Sequence, residues 1–335
     1  MSIEQSESVH ATASHNQGER GGNRWALLQR HAALLSLVVA VLAGTVAFGG
    51  HFASSFNFHN ILAGYAYLAI VAVGLTFVII SGGIDLSVGS VMALGAVLAG
   101  ASATHGPVVA LLVALGGCAV LGAVQGLLIT RGAMAPFIVT LGGLLFARGL
   151  AFSIADQGNK VFVFPKGFGL NWLGQGKVLG VEAPVVIAAI IAVAGALLLN
   201  RTLSGQRVFA IGGAESSARL MGVPVERTKF YLYVASAVLA GLAGVIVATR
   251  QGSAQSGIQV GTELDAIAAV VIGGTLLTGG HGTLGGTIAG VVFLGVVQNL
   301  INQMNISVNY QQVVSGSLLI VVVAVQSIFH RLHRR

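Results

Sequence analysis

Residues 73–100 read VGLTFVIISGGIDLSVGSVMALGAVLAG. The stretch is apolar enough to lie in a bilayer, yet Gly82-Gly83 and one carboxylate, Asp85, interrupt it. A charge at membrane depth costs about 2.5–3.5 kcal/mol on insertion scales, so Asp85 needs a helix end, a polar partner or a wet cavity. Two readings stay open. Asp85 either organises a helix break beside a translocation path or caps a helix starting near Leu86, where an anion meets the positive end of the helix dipole.

Outward from this stretch the chain keeps the same character. Of its 335 residues 55% are hydrophobic and only 8% charged. Soluble domains carry about a quarter charged residues, so this composition predicts an all-α polytopic membrane bundle. Apolar runs occur at about 32–48, 61–80, 86–103, 108–129, 136–155, 184–199, 231–248, 264–277, 284–301 and 312–329. Crossing takes about 20 helical residues, so about ten spans are expected, the run at 264–277 being short. The polar residues 1–24 read as a disordered cytoplasmic tail and 25–335 as a transmembrane permease domain.

If all ten runs cross, Arg20, Arg24, Arg30, Arg131, Arg201, Arg207, Arg219, Arg227, Lys229, Arg331, Arg334 and Arg335 fall inside. Lys160, Lys166, Lys177 and Arg250 fall outside, and Arg148 lies within a run. That asymmetry places both termini in the cytoplasm. Eight spans plus one re-entrant hairpin fit the same parity. The suspect pairs lie around Gly82-Gly83 and around Gly273 to Gly286, and residues 80–87 weakly resemble 271–278. Transporters built from duplicated halves place their sites where Gly-interrupted helices meet, which makes Gly82, Gly83, Asp85, Gly273 and Gly274 candidates for a translocation path. Small-residue spacings such as Gly95 with Ala99 and Gly286 with Gly290 suit close helix packing. Glu263 and Asp265 precede the short run at its expected external end.

Residues 201–229 form the one sizeable polar segment expected inside. Within it Glu215 to Met221 has helical composition and stops at Gly222, followed by Val223-Pro224. A short exposed helix between two spans is a docking element for a soluble partner. Asn60, Tyr65, Tyr67, Gln125, Gln298, Asn299 and Asn302 offer amide or aromatic groups suited to sugar hydroxyls at or within spans. The lone cysteine, Cys118, reads as a small buried hydrophobe.

Three blocks resemble the membrane subunits of bacterial simple-sugar ABC importers, the ribose-permease family. They are Ser81 to Gly89, Phe209 to Gly222, and Gly261 to Gly274. In that family's order they cover most of the chain after about residue 60. The resemblance implies an inner-membrane, multi-pass permease that works as a dimer with cytoplasmic ABC ATPase subunits and a periplasmic sugar-binding protein. It also implies that Glu215, Ser216, Ser217, Ala218, Arg219 and Gly222 form the ATPase-coupling helix. The wider importer motif places Glu-Ala-Ala six, five and four residues before its Gly, whereas here Ser216, Ser217 and Ala218 hold those places and Glu215 stands one further out. The third block points to galactofuranose-type permeases, whose systems pair two different permeases, with ribose or another pentose next.

Other classes fare worse. The net charge of +7 sits in short loops without a basic helix face, which argues for membrane sidedness and against nucleic acid. The nearest approach to a phosphate loop, Gly176-Lys177, has Asn171 where its first Gly should be and Val178 where Ser or Thr should be. No HExxH metal motif occurs, so no cofactor and no metal are expected, and ATP hydrolysis is assigned to a separate subunit. The rival reading is an ion-coupled secondary transporter of a small polar solute, which calls for more buried carboxylates and no docking helix. Membrane lipid is the remaining partner.

Overall fold

The computed structural model describes residues 34–258 and 260–304, with scattered positions between 310 and 324 that are all helical. The expected tail, 1–24, lies outside the described residues, as does most of the run at 312–329. In chain order the helices are α1 Leu34–His51, α2 Ser55–Ile80, α3 Val88–Ala101, α4 Pro107–Thr130 and α5 Pro136–Ile154. There follow α6 Asn171–Gln175, α7 Ala183–Arg201, α8 Leu203–Gly213, α9 Glu215–Leu220, α10 Val225–Gln251, α11 Thr262–Ile272 and α12 Leu284–Gln303. Seven of them, α1, α2, α4, α5, α7, α10 and α12, are long and apolar enough to cross a membrane.

The expectation of about ten spans is thereby revised. The runs at 86–103 and 264–277 yield helices of only 14 and 11 residues, about 20 Å and 15 Å long, too short to cross about 30 Å of hydrocarbon. Both are nonetheless central. α2, α10 and α12 are the most buried long helices, at 78%, 56% and 61% of their apolar windows, against 28% for α4, α5 and α7. The main core cluster joins α2 and α10 to α3, α11 and α12 through Leu75, Ile79, Val91, Met92, Ala240, Val270 and Leu294.

Neighbour contacts fix where the short helices lie. α3 runs alongside α10 to the end of the bundle where Gly100 meets Phe162 and Ala254. α11 runs the other way beside α12, to the end where Gly273 meets Gly286. Their N-termini meet between the two ends, with the Glu263 carboxylate against Gly89. Close approach makes this packing work: a Cβ at Gly244 would lie 1.9 Å from the Met92 carbonyl oxygen, and one at Gly95 would lie 2.7 Å from the Cα of Gly241. In lipid, dispersion at such small-residue contacts replaces the hydrophobic drive available in water.

Both Gly-Gly pairs are helix stops. Gly82, at φ +79°, ends α2: Gly83 N donates to Val78 O and Gly82 N to Ile79 O, at 3.0 and 2.9 Å. Gly274, at φ +87°, ends α11 with the same pair of bonds, Thr275 N to Val270 O and Gly274 N to Val271 O. The left-handed residue is glycine because a Cβ would be strained there. The two stretches therefore share a motif, one residue out of the register in which their sequences resemble each other. Both stops sit at one end of the bundle, so the meeting between those ends belongs to the helix starts rather than to the glycines.

The all-α class holds for the bundle. Outside it, four two-residue strands pair as Phe162–Val163 with Ser253–Ala254 and Lys177–Val178 with Val181–Glu182. The first ladder, with Gln175 Nε2 donating to Thr249 O at 2.9 Å, seals the end where α3 and α10 finish.

Candidate functional sites in the bundle interior and at the coupling segment

Asp85 lies in the extended segment between α2 and α3 and is fully buried. One carboxylate oxygen accepts from Ser87 N at 2.9 Å and Ser87 Oγ at 2.6 Å. The other accepts from Ser236 Oγ, on α10, at 2.8 Å. The helix begins at Val88 with Ser87 as its cap residue, not near Leu86, so Asp85 is not an N-cap. It forms a turn onto the backbone two residues ahead and ties that turn to a second helix. Charge-assisted hydrogen bonds of this kind are roughly twice as strong as neutral ones.

Further polar groups surround this turn. Thr140 Oγ1, on α5, lies 2.9 Å from Pro136 O of its own helix and 3.2 Å from Ile84 O, and Arg148 Nε donates to Ser90 Oγ at 3.2 Å. Arg148 thus meets a hydroxyl. Gln125 is buried with Oε1 3.3 Å from Ser87 Oγ and with Nε2 unpartnered. Ser87 Oγ has one hydrogen and gives it to Asp85, so donor accounting favours the flipped amide, in which Nε2 donates to Ser87. Tyr233 Oη, also buried without a hydrogen-bond partner, sits where a Cβ on Gly83 would come within 2.5 Å of it. Neither Tyr233 nor Ser236 was singled out in the sequence. Their signal was two polar groups three residues apart, on one face of a run otherwise built of apolar and small residues.

Glu263 and Asp265 are not at the bundle's outer end. Residues 255–258 turn back into the protein, with Ser256 and Ile258 buried, ahead of α11. The Glu263 Oε2 atom is buried against Gly89 with no hydrogen-bond partner among the described residues. Asp265 is close enough to Tyr65 and Tyr67, on α2, to interact with both electrostatically.

The sugar-contact candidates separate. Tyr65 lines an apolar cavity of about 120 Å³ between α2, α7 and α12, walled by residues such as Ala69, Ala188 and Val291. Gln125 joins the Asp85 turn, and Gln298 is buried on α12. Asn299 exchanges amide hydrogen bonds with Asn57 at 2.9 and 3.1 Å and accepts from Gln303, an arrangement that fastens α12 to the start of α2. Asn60 and Asn302 are exposed.

The short helix expected from Glu215 to Met221 forms as α9, Glu215–Leu220. α9 ends in a left-handed Gly222, φ +79°, with Val223 N donating to Ala218 O at 3.0 Å and Gly222 N to Arg219 O at 3.1 Å. Ala218 is fully buried among Ile211, Val225 and Val223, so it seats the helix on α8 and α10 and offers nothing to a partner. Its neighbours face outward: Glu215, Ser216, Ser217 and Arg219 are exposed, as are Leu220 at 89% and Met221 at 72%. Nothing in the local sequence marks these two apolar side chains as exposed. Lys229 Nζ donates to Glu215 Oε2 at 2.5 Å, and Arg219 bridges Glu215 and Glu226. The hydrogen bond from Lys229 holds the Glu215 carboxyl below its ordinary range. Beside this segment Gly212 packs on the last carbonyl of α2, where a Cβ would lie 1.7 Å from Ile80 O, and Gly280 N donates to that oxygen at 2.9 Å.

Comparison with known proteins matches residues 57–323 to the family described as branched-chain amino acid transport system / permease component. The ribose import permease protein RbsC of Bacillus subtilis is 38% identical over 299 residues, covering 89% of this chain and 92% of that protein. The fructose import permease protein FruG of Bifidobacterium longum is 35% identical over 309 residues, covering 88% and 89%. The inner membrane ABC transporter permease protein YjfF of Escherichia coli is 42% identical over 286 residues, covering 82% and 85%. The chain is thus a multi-pass membrane transport component rather than an enzyme, and the ATPase of its system is a separate subunit. It belongs to the family of branched-chain amino acid transport system permease components and, with these relatives, to the simple-sugar ABC import permeases.

Proposed function

We propose that this permease carries a monosaccharide into the cell, with ribose, galactofuranose or a related sugar as substrate. The end of the bundle bearing residues 201–229 faces the cytoplasm and docks on an ABC ATPase through Glu215, Ser216, Ser217, Arg219, Leu220 and Met221, with Ala218 and Gly222 shaping the helix. Two permease subunits, identical or paired with a second kind, form the path, and a periplasmic binding protein delivers the sugar to the opposite end. Gly82, Gly83, Asp85, Gly273 and Gly274 set the ends of the interrupted helices. Tyr65, Gln125 and Gln298 are the interior groups offered to sugar hydroxyls. Asn60 sits near an end of the bundle, and Asn299 contributes through its pairing with Asn57.

The observation that best supports this reading is α9 itself, a short capped helix with exposed Leu220 and Met221, seated on α8 and α10 by the buried Ala218. The test is uptake of labelled ribose and galactofuranose by proteoliposomes holding the permease with its ATPase and binding protein. Uptake should require ATP on the α9 side and persist with a protonophore. Uptake that ignores ATP and collapses with the ion gradient would return the ion-coupled reading.

A further inference from the structure

Four contacts connect the coupling helix to the interior of the bundle. Lys229 and Glu226, in the first turns of α10, hold Glu215 and Arg219 of α9. α10 then runs unbroken from Val225 to Gln251. Eleven residues along it, about 16 Å from its start, Ser236 Oγ donates to Asp85 Oδ2 at 2.8 Å. Asp85 in turn holds both the backbone and the hydroxyl of Ser87, the residue from which α3 starts. Among the described residues Asp85 makes no salt bridge, and Ser236 is the hydrogen-bond donor that joins it to another helix.

A single helix has the stiffness to carry displacement over this distance, whereas the extended segment 82–87 has none of its own. The rest of the contact between α3 and α10 is apolar packing, of Val91, Met92 and Ala96 against Ala240, Gly244 and Ile246, and the Ser236 bond adds to it a directional tie at the start of α3. We propose that Ser236 and Asp85 are positioning residues for transport. They fasten the internal start of α3 to α10, so that movement of the coupling helix on its ATPase shifts the half-helix inside the bundle. The proposal rests on the docking reading above and assigns no substrate contact to either residue.

Cys118, the only cysteine, reports on this junction. Its Sγ, on α4, lies 3.6 Å from Val91 O of α3, and a Cβ on Gly241 of α10 would come within 2.6 Å of it. Cys118 is fully buried, so N-ethylmaleimide reaches it only when this junction opens, and in the purified complex of permease and ATPase, ATP with vanadate should change the labelling rate. Ser236→Ala should cut that nucleotide-dependent change about tenfold, the loss expected for one hydrogen bond to a charged acceptor, while the ATPase still co-purifies. Ser236→Thr, which keeps the hydroxyl, should restore the response, and Asp85→Asn should repeat the loss if the alanine variant misfolds. A Ser236→Ala complex that responds like the wild type overturns the proposal, as does a wild-type complex whose labelling ignores nucleotide. An ATPase that never co-purifies with the wild type removes the docking reading and the proposal together.

Discussion

Asp85 shows how a single side chain can be legible in type and illegible in role. Its charge inside an apolar run announced a special site, because nothing but a partner could offset burial. Which partner was not readable: Ser236 is an ordinary serine in a span, and only the fold brings it across 151 residues of sequence to 2.8 Å. Replacing Asp85 by Asn keeps the shape but removes the charge that three donors surround. Transport should fall about tenfold or more, with membrane insertion unchanged. Uptake measured at matched expression checks it, and full uptake by the amide variant would reduce Asp85 to a local turn. Gly89 gives a second test. A side chain there would enter the space of Glu263, its Cβ 2.0 Å from Oε2 and 3.2 Å from the Glu263 backbone nitrogen. Gly89→Val should destabilise the protein by about 1–3 kcal/mol, seen as a lower melting temperature in detergent. An unchanged melting temperature would mean that α11 can move away freely.

At the scale of elements, the stops were readable and the starts were not. Gly222, Gly82 and the Gly273-Gly274 pair mark helix ends through backbone chemistry that is local. α3 and α11 start inside the bundle because of contacts with α10, α2 and each other, and hydropathy is the same on both sides of such a start. For the coupling helix, burial of Ala218 changes which variant is informative. Ala218→Trp would unseat α9 from Ile211 and Val225, so loss of the ATPase would report local unfolding. Leu220→Asp, on a side chain 89% exposed, should abolish co-purification of the ATPase while the melting temperature stays within a degree or so. Retention of the complex would place the docking surface elsewhere. The Glu215 carboxyl has its folded-state pKa lowered, chiefly by the hydrogen bond from Lys229. The sign follows from linkage: the contribution of this bond is present above the unfolded value of about 4.3 and is lost as pH falls through the lower folded value. Co-purification should therefore be flat between about pH 5 and 8, and a loss near neutrality would implicate a different group.

At the scale of the whole molecule, seven full helices and two half-helices explain why a count of apolar runs overstates spanning helices yet keeps the parity. The chain still passes from one end to the other at 83–101, as an extended segment followed by a short helix, and between α10 and the end of α11, where turns precede a short helix. Among the described residues Arg131, Arg201, Arg207, Arg219, Arg227 and Lys229 lie toward the end that bears residues 201–229 and Lys160, Lys166, Lys177 and Arg250 toward the other, the direction of asymmetry expected if that end is cytoplasmic. If the run at 312–329 is a further crossing, as its composition predicts, the chain returns to the α9 side after α12. A fluorescent protein fused after Arg335 should therefore be bright, and alkaline phosphatase fused there should be inactive, while phosphatase fused in the loop at Lys166 should be active. The reverse pattern at both sites would invert the bundle and put α9 outside, where no ATP drives it. A bright phosphatase signal at both would instead mean that the chain does not cross again after α12. The two fusions thus test sidedness and span count separately, which the charge count alone cannot do.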